Sequence, residues 1–222
     1  MKKNKDPACT CGKQSENDDS LQFVEVHDSM IPFSIEILWK QWFCLSIKGN
    51  VEVKYLIEQL EVEDLRYGKW CFTNNEADFN VMVPYNEAGE GMFNPNFRMI
   101  QRGMTQRSTR RVQVGHSIPF IPKTTYSVHT YRILKINDKH MSIELEIDNE
   151  ALGVLTTVQL CLTEYNVGDG GQPQTKLLVY AKAKIVKHVA FLVPKALIES
   201  ATIDGIRKYY ADLSDQLYEN IV

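Results

Sequence analysis

What this chain lacks narrows its chemistry early. Its longest uninterrupted apolar run is Val189-Ala-Phe-Leu-Val193, far below the ~20 residues a helix needs to cross a bilayer. The opening residues MKKNKDPACTCGKQSENDDS carry lysines but no apolar stretch, so they do not make a secretory signal. Lys2 stands where myristoylation needs glycine. Charge of one sign is also missing: 25 Lys and Arg oppose 28 Asp and Glu, for a net charge of -3. Such a balance gives no global attraction to nucleic acid or to an anionic membrane.

The motifs of common chemistries are missing too. There is no Gly-x-Ser-x-Gly elbow, no His-Glu-x-x-His and no phosphate-cradling glycine loop. The cluster Gly168-Asp-Gly-Gly171 has neither the following helix nor the lysine of a phosphate site, and reads as a turn. The five cysteines show no metal spacing beyond the close pair Cys9 and Cys11; Cys44, Cys71 and Cys161 read as reduced core thiols. His27, His116, His129, His140 and His188 are scattered, each reading as a surface or satisfied strand histidine. No catalytic residue, metal or cofactor is expected, and no nucleic acid.

What is present is an order of parts. Residues 1–20 are polar and charged and cannot offset their own ordering entropy, so they read as a disordered tail before one domain over 21–222. Leu21 to Ile31 alternates as a strand, and Ser34 caps a helix beginning at Ile35. A second helix is expected over Val53 to Leu60, and Tyr67 to Phe72 returns to the sheet. Residues 73–97 are irregular, and a loop of that length inside a compact domain is usually functional. It is the candidate contact for a protein partner, with Met92-Phe93 as a lid or membrane-inserting tip. Strands are then expected at Arg98–Thr105, Thr109–Val114, Thr124–Ile136, Met141–Asn149, Val154–Val167 and Thr175–Val189. A closing helix from about Pro194 puts Ile198, Thr202, Ile206, Tyr209, Leu213 and Leu217 on one stripe.

A sheet followed by one long helix buries the helix's apolar stripe in the sheet's concave face, because neither surface is stable alone. Where the sheet curves, the space between the two is a cavity suited to an apolar small molecule. One charge feature stands out: Arg102, Arg107, Arg110 and Arg111 surround an expected turn. Arginine forks bind phosphate, which suits an anionic lipid headgroup. Glu144, Glu146 and Asp148 share one side of a strand and read as an outward row.

Two blocks carry a family resemblance. The run Arg111-Val-Gln-Val-Gly-His-Ser-Ile-Pro-Phe-Ile-Pro-Lys-Thr-Thr125 and the later Lys195-Ala-Leu-Ile-Glu-Ser-Ala-Thr-Ile-Asp-Gly-Ile-Arg-Lys-Tyr-Tyr210 resemble the VASt domain of the StAR-related (START-like) lipid-transfer superfamily. The helix with Trp39 and Trp42 and the Leu56-to-Trp70 segment fit the same pattern, from about Phe23 to Leu217. The resemblance implies an α+β helix-grip fold, a curved antiparallel sheet wrapped around a long C-terminal helix. It implies non-catalytic binding of a sterol or other lipid, with transfer between membranes by a cytoplasmic protein peripheral at intracellular membranes. Two features depart from the family. Its usual companions, a GRAM domain and a membrane span, are not read in these residues, and Asn149-Glu-Ala-Leu-Gly153 replaces its Val-Pro-Tyr-Gly-like step. The alternatives are an interaction module with a filled core and an enzyme of the cyclase or hydrolase type.

The expected cavity residues are Ile198, Thr202, Ile206 and Tyr209 of the closing helix, Leu38 and Trp42 of the first helix, and Tyr126, Val128, Leu160 and Tyr180 from the strands. Gly205, in mid-helix, costs about 1 kcal/mol of helix propensity and suggests either a close approach to the sheet or ligand or a simple packing glycine.

Overall fold

The computed structural model describes residues 22–44, 50–72, 81–87, 96–113, 123–149, 152–166, 171–187 and 194–221. The expected tail, most of 73–97 with Met92 and Phe93, and His116 and His188 lie outside them.

Strand β1 (Val24–Ile31) leads into α1 (Ile35–Leu38), which widens into a π turn over Trp39–Phe43. The start is fixed locally. Ser34 accepts from the Ile37 N–H at 3.2 Å, satisfying one of the open donors of a first turn. Helix α2 (Val51–Glu58) begins at Asn50, whose side chain accepts from the Val53 N–H at 2.8 Å. The same amide donates to the carbonyls of Trp42 and Cys44, at 2.8 and 2.9 Å. One buried asparagine therefore caps α2 and ties it to the π turn.

Strands β2 (Glu63–Gly68), β3 (Cys71–Phe72) and β4 (Met82–Pro84) precede five long strands. These are β5 (Met104–Gln113), β6 (Thr124–Asn137), β7 (His140–Asn149), β8 (Val154–Asn166) and β9 (Pro173–Ile185). The sheet order is β1-β9-β8-β7-β6-β5-β2-β4, with β3 also on β5, and every pairing is antiparallel. The chain closes with α3 (Lys195–Ile221). An antiparallel sheet of nine strands closed by a C-terminal helix is an α+β architecture consistent with a helix-grip-like fold.

The four last strands stand close to their expected bounds, because each alternates over most of its length. On β8, Val158, Leu160 and Leu162 face inward and are buried; on β9, Leu177, Val179 and Ala181 do the same. Glu144, Glu146 and Asp148 alternate with the buried Met141, Ile143 and Leu145 of β7 and so lie on the outer face; Glu144 meets Arg132 at 3.7 Å. The two strands expected at 98–105 and 109–114 are corrected to one: β5 runs unbroken from Met104 to Gln113, preceded by a 3-10 turn at Phe97–Met99. Cys44 and Cys71 are free thiols, whereas Cys161 is disulfide-bonded rather than reduced.

Helix α3 docks mainly through its second half. Tyr210, Leu213, Ser214 and Leu217 are buried, against β1, β9 and α2. Ser214 Oγ lies 2.8 Å from His27 Nε2 on β1, and the Tyr55 hydroxyl of α2 donates to Asp212 at 2.9 Å. An aromatic plug fills the concave face beneath: Trp42 stacks on Phe43 at 4.7 Å, and Trp39 lies 5.4 Å from both Phe43 and Trp70. No helix among the described residues is long and apolar enough to cross a membrane.

Asn50→Ala is expected to lower unfolding stability by more than the ~1 kcal/mol of an ordinary cap loss, because two buried carbonyls lose their donor as well. Chemical denaturation of the variant checks this; a change within ~0.5 kcal/mol contradicts it.

Candidate functional site

The first half of α3 is mostly exposed, with Ile203 and Ile206 half-buried against the core. Between it, α2, the turn after α2 and the inner face of β5, β6 and β7 lies a cavity of about 630 Å³. That is the ordinary size of a small-molecule pocket. Leu56, Leu60, Val62, Val112, Leu145, Ile147 and Ile206 form its apolar walls; Glu52, Arg110, His129 and Tyr209 form a polar end. Tyr55, Gln59, Glu61, Gln113, Gly205, Lys208 and Tyr210 complete the lining.

The polar end is built by strand parity. On β6 the inward residues are Thr125, Ser127, His129, Tyr131 and Ile133, and β5 sets Ser108 opposite His129 and Arg110 opposite Ser127. Glu52, in the first turn of α2, is 5 % exposed. Its Oε1 accepts from the Tyr209 hydroxyl at 2.6 Å and from the Tyr131 hydroxyl at 3.3 Å. Burial raises the Glu52 pKa, against the opposing effects of the Arg110 charge and of hydrogen bonds from Tyr209, Tyr131 and Trp42.

Arg110 is 4 % exposed and contacts His129 Nδ1 through Nη2 at 2.6 Å. A guanidinium only donates, so Nδ1 is the acceptor and the ring proton sits on Nε2, which then donates to Ser127 Oγ at 2.9 Å. Burial, together with the Arg110 charge, holds the His129 pKa well below its ordinary value. Burial also opposes the charge on Arg110, but the surrounding tyrosines and Glu52 outweigh it and raise its pKa. The Ser127–His129 pair is thus oriented the wrong way for a nucleophile and its base. The histidine offers the serine a proton rather than a lone pair.

Several expected site residues stand elsewhere. Ile206 and Tyr209 line the cavity. Leu38, Trp42 and Leu160 belong to the packed core at 0, 2 and 0 % exposure and are absent from the cavity wall. Tyr126, Val128 and Tyr180 are corrected to the outer face, since their neighbours Ser127, His129 and Val179 are the inward ones; a one-residue slip in parity reverses every side chain. Tyr126 instead donates to Asp64 at 3.1 Å. Ile198 and Thr202 are half-buried short of the cavity, and the Thr202 hydroxyl donates to the Ile198 carbonyl at 2.8 Å.

The four arginines do not form one basic turn, because β5 is continuous and alternates. Arg102 is exposed before the strand, and Arg107 and Arg111 lie on the outer face. Arg111 meets Glu63 at 3.3 Å, while Arg110 points inward into the cavity. Gly205 lines the cavity, and a Cβ there would meet nothing within 4 Å. It marks no close approach.

Glu52 and His129 were missed as site residues. Glu52 reads as an ordinary first-turn acid, and its tyrosine partners are 79 and 157 residues away. A signal for His129 did exist. Ile133 inward and Arg132 outward fix the parity of β6, and counting back by twos reaches Tyr131, His129 and Ser127.

No family model matches the chain. Two Arabidopsis thaliana proteins are similar to it over 148 residues: calcium-dependent protein kinase 33 at 25% identity and calcium-dependent protein kinase 9 at 24%. The match covers 65% of this chain, but only 28% and 27% of the two kinases. Among solved structures, a conserved protein from Geobacillus kaustophilus has a TM-score of 0.42 at 8% identity, covering 86% of this chain and 93% of that one. A Staphylococcus aureus protein of unknown function has a TM-score of 0.42 at 11% identity, covering 91% and 95%. A Thalictrum norcoclaurine synthase mutant, solved with a transition-state analogue, has a TM-score of 0.33 at 14% identity, covering 86% and 96%. Likeness at this level carries no argument about the site, which rests on its own geometry.

Two outcomes are expected. His129 stays neutral in the fold, so below its ordinary pKa of about 6.5 the unfolded chain takes up a proton that the folded chain does not. Stability therefore falls on acidification, by up to about 1.4 kcal/mol per pH unit from this group. Glu52 acts with the opposite sign: its raised folded pKa contributes stability at low pH that is lost as pH rises through that value. Denaturation curves between pH 6.5 and 5 should be less steep in pH for His129→Gln than for the parent; an unchanged slope contradicts the buried neutral histidine. Separately, Gly205→Ala should stabilise the protein by roughly 0.5–1 kcal/mol, the helix-propensity difference with no clash. Thermal unfolding measures it, and destabilisation would contradict the open space at that position.

Proposed function

We propose that this protein reversibly binds one lipid-like small molecule in the cavity between α2, α3 and the inner face of β5–β7, without covalent chemistry. The observation that carries the reading is the cavity itself: about 630 Å³, walled by aliphatic side chains from four elements, with polar groups gathered at one end. A scaffold module of the same fold would fill that space. Burial of apolar ligand surface at ~25 cal/mol per Å² supplies the affinity, and the polar end orients the ligand.

The VASt resemblance makes the ligand sterol-like and the function its transfer between membranes, and this remains part of the proposal. Docking on an anionic membrane has weaker support than the transfer itself, because the four arginines are divided between both faces of β5 and the turn before it. The buried titratable groups favour holding a ligand over transforming it. Glu52 Oε1 is occupied by two hydroxyls, and both ring nitrogens of His129 are engaged.

Native mass spectrometry of protein purified from a eukaryotic host, with lipid extraction, tests this reading. A co-purifying lipid near one per chain is the expected result. A mass that stays apo after incubation with sterol and with lipid vesicles would overturn it and make the interaction module the better account.

A further inference from the structure

The polar groups at the closed end of the cavity are not equally available to a ligand. Glu52 Oε1 already accepts from Tyr209 and Tyr131, and the carboxyl also takes a hydrogen bond from Trp42, so a ligand hydroxyl seeking an acceptor there competes with three donors of the protein. His129 accepts at Nδ1 and donates at Nε2, which uses both ring nitrogens. Arg110 is different. It is 4 % exposed and lines the cavity, its Nη2 is spent on His129, and its Nε is buried with no hydrogen-bond partner. The ion pairs among the described residues engage Arg66, Arg111, Arg132 and Arg207 instead.

A buried, unmatched guanidinium donor is costly unless an acceptor reaches it. Its strongest acceptors are anionic oxygens, of a carboxylate or a phosphate, through short charge-assisted bonds; a single free N–H suits one oxygen of a carboxylate. In donor and acceptor terms, the cavity end therefore asks a ligand for an acceptor at Nε, while Glu52 beside Arg110 already offsets part of the guanidinium charge. Nε is itself shielded from the cavity, and the guanidinium also hydrogen-bonds Tyr131, so a ligand acceptor reaches Nε by a shift of the guanidinium about its Arg110–His129 contact.

We propose that the ligand is an amphipathic monocarboxylate: its carboxylate accepts from Arg110 Nε, and its apolar body lies between Leu56, Val62, Val112, Leu145, Ile147 and Ile206. This rests on the ligand-binding reading above and narrows it from lipid-like molecules in general to acids. A neutral sterol, the ligand that the VASt resemblance implies, lacks that acceptor, so this inference replaces it with an acid as the preferred ligand. Lys208, also on the cavity lining but exposed, is the rival anchor; there a carboxylate would sit at the mouth with the tail pointing inward.

The test is calorimetric titration of the delipidated full chain with a matched set: palmitate, hexadecanol, methyl palmitate and cholesterol. Palmitate is expected to bind at least tenfold tighter than the alcohol and the ester. Arg110→Lys, which keeps the charge but loses the Nε donor, should remove most of that preference, while Lys208→Gln retains it. Equal affinity for palmitate and hexadecanol overturns the proposal on the parent protein alone, whatever the stability of the Arg110 variant. A preference lost in Lys208→Gln but kept in Arg110→Lys overturns it as well. If none of the four binds, the ligand-binding reading itself fails, and that outcome is distinct from the loss of acid preference.

Discussion

One carboxylate joins the elements that enclose the cavity. Glu52 stands in the first turn of α2 and accepts, through one oxygen, from Tyr131 on β6 and Tyr209 on α3. Helices α2 and α3 also meet through the Tyr55–Asp212 hydrogen bond and the Tyr55–Tyr209 ring contact, while Glu52 ties both of them to the sheet through one oxygen. Leaving a buried donor or acceptor without its partner costs about 1–3 kcal/mol, so removing the Glu52 carboxyl costs more than its two hydrogen bonds contribute. The Glu52 node thus sets the spacing of α2, α3 and the sheet. The positive end of the α2 helix dipole favours an acid at that position.

Around this node the interior divides in two. On one side, aromatic rings from the π turn pack with Tyr210, Trp70 and Tyr131. Towards β5–β7, the side chains change to aliphatic and polar ones, and the space stays open. A pocket adjoining a rigid plug keeps its shape without its ligand, which lowers the ordering cost of binding. The polar network at its end is similarly locked, with Arg110 fixing the tautomer of His129 and His129 fixing Ser127.

Much of the frame was legible in the residues. Ser34 and the aromatic helix after it, the long alternating strands from β6 to β9 and the amphipathic closing helix all carry local signals that the tertiary structure respects. What failed did so for physical reasons. An apolar residue in a strand is expected to face the core, and that rule placed Tyr126, Val128 and Tyr180 inside. Here β6 turns its polar side inward because the interior holds a charged network, so the rule inverts at the functional end. Arg110 was noticed but read as surface, because clustered arginines usually are. Glu52 could not be found from the sequence, because its role exists only once residues 79 and 157 positions away are brought to it.

The most direct test of the account is methyl NMR of Ile-, Leu- and Val-labelled protein during addition of a lipid ligand. Shifts are predicted to concentrate on Leu56, Leu60, Val62, Val112, Leu145, Ile147 and Ile206, while Leu38, Leu160 and Leu177 in the packed core stay in place. Shifts confined to exposed residues such as Leu197 and Val186, or spread over the core with the cavity wall unmoved, would contradict the central claim that this cavity is the binding site.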